Sequence, residues 1–123
     1  MAERRKLVMI VDDDQAVRDA LQFALRLEGF CVHAHNGGAA LLADPGLNRA
    51  GCVVLGDRMQ VMDGFTLLKT LRNSEPGLKS IMLTSHATPR ISARAEAAGV
   101  WKLLEKPLLD NTLVENIRAI LEV

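Results

Sequence analysis

The stretch Leu7-Val-Met-Ile-Val11, followed at once by Asp12-Asp13-Asp14, decides how the rest of this chain is read. Five apolar residues with no polar alternation are the mark of a strand covered on both faces, as in a parallel sheet. The run is too short for a membrane span. After the basic Met1-Ala-Glu-Arg-Arg-Lys6 it reaches only Val11 before the acids, so it reads as neither a span nor a signal peptide. Asp14 is placed to cap a helix, with Val17, Leu21, Ala24 and Leu27 as its apolar stripe and Gly29 as its end.

The same alternation continues outward. Phe30 to Ala34 reads as a second strand, and Gly37 to Leu42 as a short helix closed by Asp44-Pro45-Gly46. Cys52-Val-Val-Leu55 is the third strand. Phe65 to Leu71 is helical, with Phe65, Leu68 and Leu71 on one face and Glu75-Pro76-Gly77 as the break. Ile81-Met-Leu83 is the fourth strand. Thr88-Pro89 is a cap followed by a proline at the first helical position, opening a helix through Ala98 that ends at Gly99. Trp101 to Leu104 is the fifth strand, and Leu113, Ile117, Ile120 and Leu121 mark the last helix. Five strand–helix units in succession predict an α/β fold with a parallel sheet, right-handed crossovers and helices on both faces. This is the flavodoxin-like (βα)5 three-layer sandwich, with strand order 2-1-3-4-5.

The totals agree with one domain over residues 1–123, with 49% hydrophobic and 24% charged residues. Lys+Arg and Asp+Glu both total 15, so no net field draws the chain to nucleic acid or an anionic membrane. One Trp, no Tyr and three Phe argue against stacking on single-stranded bases. Cys31 and Cys52 have no metal-ligand spacing and read as buried free thiols in a reducing cytoplasm. His33, His35 and His86 also lack such spacing and carry no catalytic expectation.

In an open parallel sheet, function gathers at the carboxyl ends of the strands. The first strand ends in Asp12-Asp13-Asp14, acids that repel one another unless a hard divalent cation neutralises them. The plainer reading is that Asp14 caps the helix and the other two are solvated. The third strand ends at Gly56-Asp57, the fourth in the hydroxyls Thr84-Ser85, and the fifth in Glu105-Lys106-Pro107. A lysine fixed before a proline, with a cis peptide open to it, presents a cation to the same edge. Acids, hydroxyl and lysine on separate strand ends together describe a site for a phosphoryl group and a magnesium ion.

At these residues the chain resembles the receiver domains of bacterial two-component response regulators. The resemblance runs through Ile10-Val-Asp-Asp-Asp14, Arg58-Met59, Met62-Asp63-Gly64, Met82-Leu-Thr84, Ala98-Gly99 and Glu105-Lys-Pro107. It implies that Asp12 and Asp13 bind magnesium with the Arg58 backbone carbonyl, and that Thr84 and Lys106 contact the phosphoryl group. It implies a sensor histidine kinase or other signalling protein as partner, and a cytoplasmic location. Partners or a second copy are expected on the face of the fourth helix, fifth strand and fifth helix, with Ile91, Arg94, Trp101 and Leu103 as candidate members. The wording of the motifs looks most like regulators with a C-terminal helix-turn-helix output domain, while residues 1–123 are expected to hold the receiver alone.

The family's pattern after the third strand is Asp-x-x-Met-Pro-x-x-Asp/Asn-Gly, and its first Asp accepts the phosphoryl group. Counting back from Met59 and from Asp63-Gly64 places that acceptor position on Gly56, and Gln60 stands where the proline belongs. Glycine supplies neither nucleophile nor metal ligand, so magnesium binding is expected to be weakened. Asp57 is the available surrogate. Strand alternation aims its side chain away from that of residue 56, unless the glycine permits a bulge. Leu103 stands where the family carries a switching Phe or Tyr, and Trp101 reads most simply as packing against the last helix.

The leading expectation is therefore an atypical, non-enzymatic receiver acting as a protein-interaction module. The alternatives are a phosphorylation-competent receiver using Asp57, or a native aspartate at 56 replaced by glycine. A haloacid-dehalogenase-like phosphatase, suggested by Asp12-x-Asp14, is remote because Ala16 departs from its motif and no acidic pair follows Lys106. A flavin-binding flavodoxin is disfavoured because acids fill the place of a phosphate loop.

Overall fold

A computed structural model describes residues 7–108 and 110–121. The basic opening residues 1–6 lie outside this range. Strands β1 (Leu7–Val11), β2 (Cys31–His35), β3 (Cys52–Gly56), β4 (Lys79–Thr84) and β5 (Lys102–Glu105) alternate with helices α1 (Gln15–Leu27), α2 (Gly38–Leu42), α3 (Gly64–Ser74), α4 (Pro89–Ala97) and α5 (Thr112–Leu121). All strand pairs are parallel, as the alternation of elements predicts, and the order β2-β1-β3-β4-β5 is the one expected of the flavodoxin-like fold. Strand bounds differ by a residue from the expected ones at β2 and β5, where ladder pairing rather than apolar content sets the ends.

The unbroken apolar strands have a direct explanation in the two cores. Val8, Ile10, Val54, Ile81 and Leu83 pack with Leu21 and Leu25 of α1 and Leu113, Ile117 and Leu121 of α5. The alternate residues Leu7, Met9, Val11, Leu55 and Met82 pack with Leu41 of α2, Phe65, Leu67, Leu68 and Leu71 of α3 and Ala95 of α4. The central strands β1, β3 and β4 thus face helices on both sides, which is what removes the polar alternation from them.

The α1 stripe is corrected. Its buried residues are Leu21 and Leu25, with half-buried Val17 on the same core, at strict four-residue spacing. Ala24 is exposed and Leu27 is 70% exposed, because both lie round the helix from the row of Val17, Leu21 and Leu25. The expected caps Asp14 and Thr88 are present, accepting from Ala16 N and Val17 N and from Ile91 N, and Asp63 caps a further helix by accepting from Thr66 N. Gly29 and Gly99 follow their helices with φ of 92° and 82°, the left-handed conformation that ends a helix at low cost only for glycine.

The expectation of two buried thiols is also corrected. Cys52 is buried in β3, and burial pushes its thiol up to about 12. Cys31 is exposed, because it begins the edge strand β2 with its side chain off the core.

Candidate functional site

The site lies at the carboxyl edge of the sheet, where β1, β3, β4 and β5 end side by side. Asp12 leaves β1 only 2% exposed, and its backbone carbonyl accepts from Arg18 of α1 at 2.7 Å. Its carboxylate accepts from Asp14 N at 2.9 Å through Oδ1 and from Lys106 Nζ at 3.0 Å through Oδ2. Asp13 is exposed beside it. Lys106 follows β5, its peptide to Pro107 is cis, and its N–H donates to Thr84 O at 2.8 Å.

Gly56 is the last residue of β3, paired in register with Leu83. A Cβ built on Gly56 would sit 3.3 Å from Asp12 Oδ2 and 3.6 Å from the Arg58 carbonyl oxygen. A side chain at this position would therefore enter the space between the acid of β1 and the loop carbonyl after β3. The turn that follows is tight: Gly64 N donates to Asp57 O at 3.0 Å, which lays the start of α3 against the end of β3.

Asp57 requires a correction in physical terms. The ladder continues without a bulge, since Asp57 N donates to Leu83 O at 3.0 Å. Asp57 nevertheless faces a site group, because it stands level with Thr84 one residue beyond the Gly56–Leu83 pair. Thr84 Oγ1 donates to Asp57 Oδ2 at 2.9 Å, and both residues are buried, at 1% and 9% exposure. Alternation within β3 holds, with Gly56 turned toward Asp12 and Asp57 toward the opposite face; what it did not reveal is that Thr84 of the neighbouring strand stands on that face too.

The expected site residues thus form two connected groups. Asp12, the vacant side of Gly56 and the Arg58 carbonyl make one. Asp57 and Thr84 make the other, and Lys106, bonded to Asp12, also lines the cavity that Asp57 and Thr84 share. That cavity encloses about 610 Å³ between the loops after β3 and β4 and the start of α4. Ile91 and Arg94 line it too, and Arg94 lies 4.1 Å from the centre of the Phe65 ring. Trp101, just before β5, is 39% exposed, and Leu103 is half-buried against the core shared with α3.

Sequence reasoning missed Arg90 and read Thr88 only as a cap, and both line the same cavity, as does the expected hydroxyl of Ser85. The signal was present in Thr88-Pro89-Arg90: a cap and a proline fix the helix start, and so place Arg90 in its first turn. It also missed the pairing at the far edge, where Asp44 Oδ2 accepts from His33 Nδ1 at 2.9 Å and His35 Nε2 at 2.8 Å. Burial pushes the Asp44 carboxyl up, but the Gly46 N–H and the two histidines outweigh it and hold it below its ordinary value of 3.8. Among the described residues no group of three His, Cys, Asp or Glu side chains is arranged to hold a metal ion.

Residues 8–118 match the response regulator receiver domain family. The chain belongs to that family. Among curated relatives, the receiver is similar to the C4-dicarboxylate transport transcriptional regulatory protein DctR of Rhodobacter capsulatus, 37% identical over 110 residues covering 88% of this chain and 56% of the relative. It is similar to the transcriptional regulatory protein FixJ of Rhizobium meliloti (strain 1021), 36% identical over 110 residues covering 89% and 54%. The crystal structure of FixJ-N superposes with a TM-score of 0.83 at 33% identity, covering 94% of this chain and 93% of that one. The chain spans about half the length of these curated relatives. It is a two-component receiver domain of a response regulator, and receivers interact with sensor kinases and bind magnesium at the phosphorylation site. Among the described residues no helix is long and apolar enough to cross a membrane.

Proposed function

We propose that this receiver signals without aspartyl phosphorylation and acts as a protein-interaction module. One observation carries the reading: the position whose side chain would face Asp12 and the Arg58 carbonyl is Gly56. Glycine offers no nucleophile there. The two groups that the family turns toward a phosphoryl group already have partners within the chain, Thr84 on Asp57 and Lys106 on Asp12. The polar constellation is complete without a ligand, which favours one fixed arrangement over a switch.

Magnesium does not fit these residues well. The donors on offer are Asp12, Asp13 and the Arg58 carbonyl, one carboxylate short, and the Lys106 ammonium already neutralises Asp12. No step of the proposed activity runs through a metal, and no enzymatic turnover is assigned to the domain. The cytoplasm is the proposed location, and control of transcription, as in the names of its relatives, is the proposed output of the whole protein.

A second reading is favoured by the placement of Asp57 in one cavity with Thr84 and Lys106: Asp57 takes over as phosphoacceptor. Intact mass after incubation with acetyl phosphate and magnesium separates the two. The expected result is no adduct on the native chain or on Asp57→Ala. An adduct on the native chain that vanishes in Asp57→Ala would establish the surrogate acceptor and end the phosphorylation-independent reading.

The docking face in this proposal is that of α4, β5 and α5. It rests on Trp101, a large side chain left 39% exposed, with Ile91 and Arg94 on the adjoining helix and Leu103 anchoring β5 from the core side. A second copy of the chain is the partner simplest to test. In sedimentation equilibrium the native receiver is expected to self-associate, and Trp101→Ala to weaken that association about tenfold, as loss of an aromatic anchor does. A monomeric native chain, or equal association in both proteins, removes this face from the proposal.

A further inference from the structure

We propose that the cavity beside Thr84 is a non-covalent binding site for a small anion carrying two phosphoryl groups. The inference deepens the phosphorylation-independent reading and rests on it: the site would hold a phosphorylated ligand in place of a covalent phosphoryl group.

The chain as a whole is neutral, with 15 basic and 15 acidic residues, yet this cavity is strongly basic. Arg58, Arg90, Arg94 and Lys106 line it against the single carboxylate of Asp57, which is already bonded to Thr84. Lys106 is paired with Asp12. Arg58, Arg90 and Arg94 form no ion pair among the described residues. Asp63, whose carboxyl Arg94 helps hold below its ordinary value, is occupied mainly in capping α3 through the Thr66 N–H. Glu105, the other acid at this edge, accepts from Ala87 N at 3.0 Å and so pins the loop that carries Ser85 and His86.

The placement of Arg90 runs against helix stability, whereas Arg94, in the last turn, is favoured there. The N-terminal turn of a helix is electropositive and favours acids, but the first turn of α4 carries no acid and has Arg90 as its second residue. Arg94 follows one turn later, on the same side of the helix. A cation in the first turn of a helix, with no acid beside it there, suits an anion site and is what a merely structural helix avoids.

Volume and spacing select the ligand. About 610 Å³ is within the range of small-molecule pockets and exceeds what one phosphate fills. Arg90 and Arg94 are separated by one helical turn, about 5.4 Å along the axis, and Arg58 approaches from the loop after β3. A diphosphate would present oxygens to each of the three and fill more of the cavity than a single phosphate. Guanidinium groups suit this role because their planar donors bond two oxygens at once. The hydroxyl of Ser85, exposed on the cavity wall, adds a neutral donor.

Isothermal titration calorimetry with inorganic pyrophosphate, orthophosphate and ADP tests the proposal. Pyrophosphate should bind the native receiver saturably, with a dissociation constant below about 1 mM, and orthophosphate at least about tenfold more weakly. Arg90→Ala and Arg94→Ala should each weaken pyrophosphate about tenfold. Lys79→Ala, a lysine at the opposite end of β4, should leave it unchanged. ADP binding as tightly as pyrophosphate, or tighter, supports the site and distinguishes diphosphate alone from a nucleotide. Absence of saturable pyrophosphate binding, equal loss in Lys79→Ala, or orthophosphate binding as tightly would each overturn the site. A covalent adduct from acetyl phosphate is read separately by intact mass. It would overturn the phosphorylation-independent reading, whereas failed pyrophosphate binding with no adduct overturns the pocket alone.

Discussion

Gly56→Asp is expected to convert a chain that gains no phosphoryl adduct from acetyl phosphate into one that does, in a magnesium-dependent manner. The rest of the machinery is in place for it. A Cβ at 56 meets Asp12 Oδ2 at 3.3 Å and the Arg58 carbonyl oxygen at 3.6 Å, so the new carboxylate enters beside both with a shift of Asp12 by a few tenths of an ångström. It adds a third carboxylate to Asp12 and Asp13, where like charges destabilise unless a divalent cation neutralises them. Magnesium should therefore raise the Tm of Gly56→Asp while leaving that of the native chain nearly flat. Intact mass and thermal melts with and without magnesium read both effects. A folded Gly56→Asp protein that takes up no phosphoryl group would show that position 56 is not where this chain's acceptor was lost.

Gly64→Ala is expected to be severely destabilising, by ~3 kcal/mol or more. The reason is space rather than backbone angle. A Cβ on Gly64 would lie 2.0 Å from the Gly56 carbonyl oxygen and 3.1 Å from Asp57 Cα, so it collides with main chain that has no rotamer to yield. The Gly64 N–H to Asp57 O bond would break with the displacement, taking with it the seat of α3 against β3. Gly77→Ala is the matched control, since a Cβ there meets nothing within 4 Å, and a change within about 0.5 kcal/mol is expected. Urea denaturation of both variants checks the contrast; similar midpoints for the two would remove the close approach as the reason for glycine at 64.

The two predictions concern glycines at the two ends of one loop, yet they were legible to different degrees. Asp63-Gly64 marked a helix start from the sequence, because an acid before a glycine and an apolar run is a capping pattern. That the glycine was obligatory followed only from the approach of the β3 carbonyl. Similarly, the strand-end acids, Thr84 and Lys106 stood out in order along the chain, since a parallel sheet brings the ends of its strands to one edge. The side to which each turns was not available from order alone. Asp57 shows this most plainly: alternation within β3 rightly turned it from the face of Gly56 and Asp12, and only the level of Thr84 on β4 showed that the other face also carries a site group. The helix stripe through Leu27 failed because several apolar rows can be drawn on one helix, and only packing showed that Val17, Leu21 and Leu25 make the one that faces the sheet.

By itself, then, the sequence determined the (βα)5 architecture, the strand ends that carry polar groups and the absence of a side chain at residue 56. These are local or periodic properties, set by apolar runs, caps and glycines that each segment carries. Only the tertiary structure decided that Lys106 pairs with Asp12, that Thr84 pairs with Asp57, and that Arg58, Arg90 and Arg94 meet around one cavity. Those contacts join residues on different strands and loops. Their geometry depends on sheet register and helix seating, which no single segment encodes.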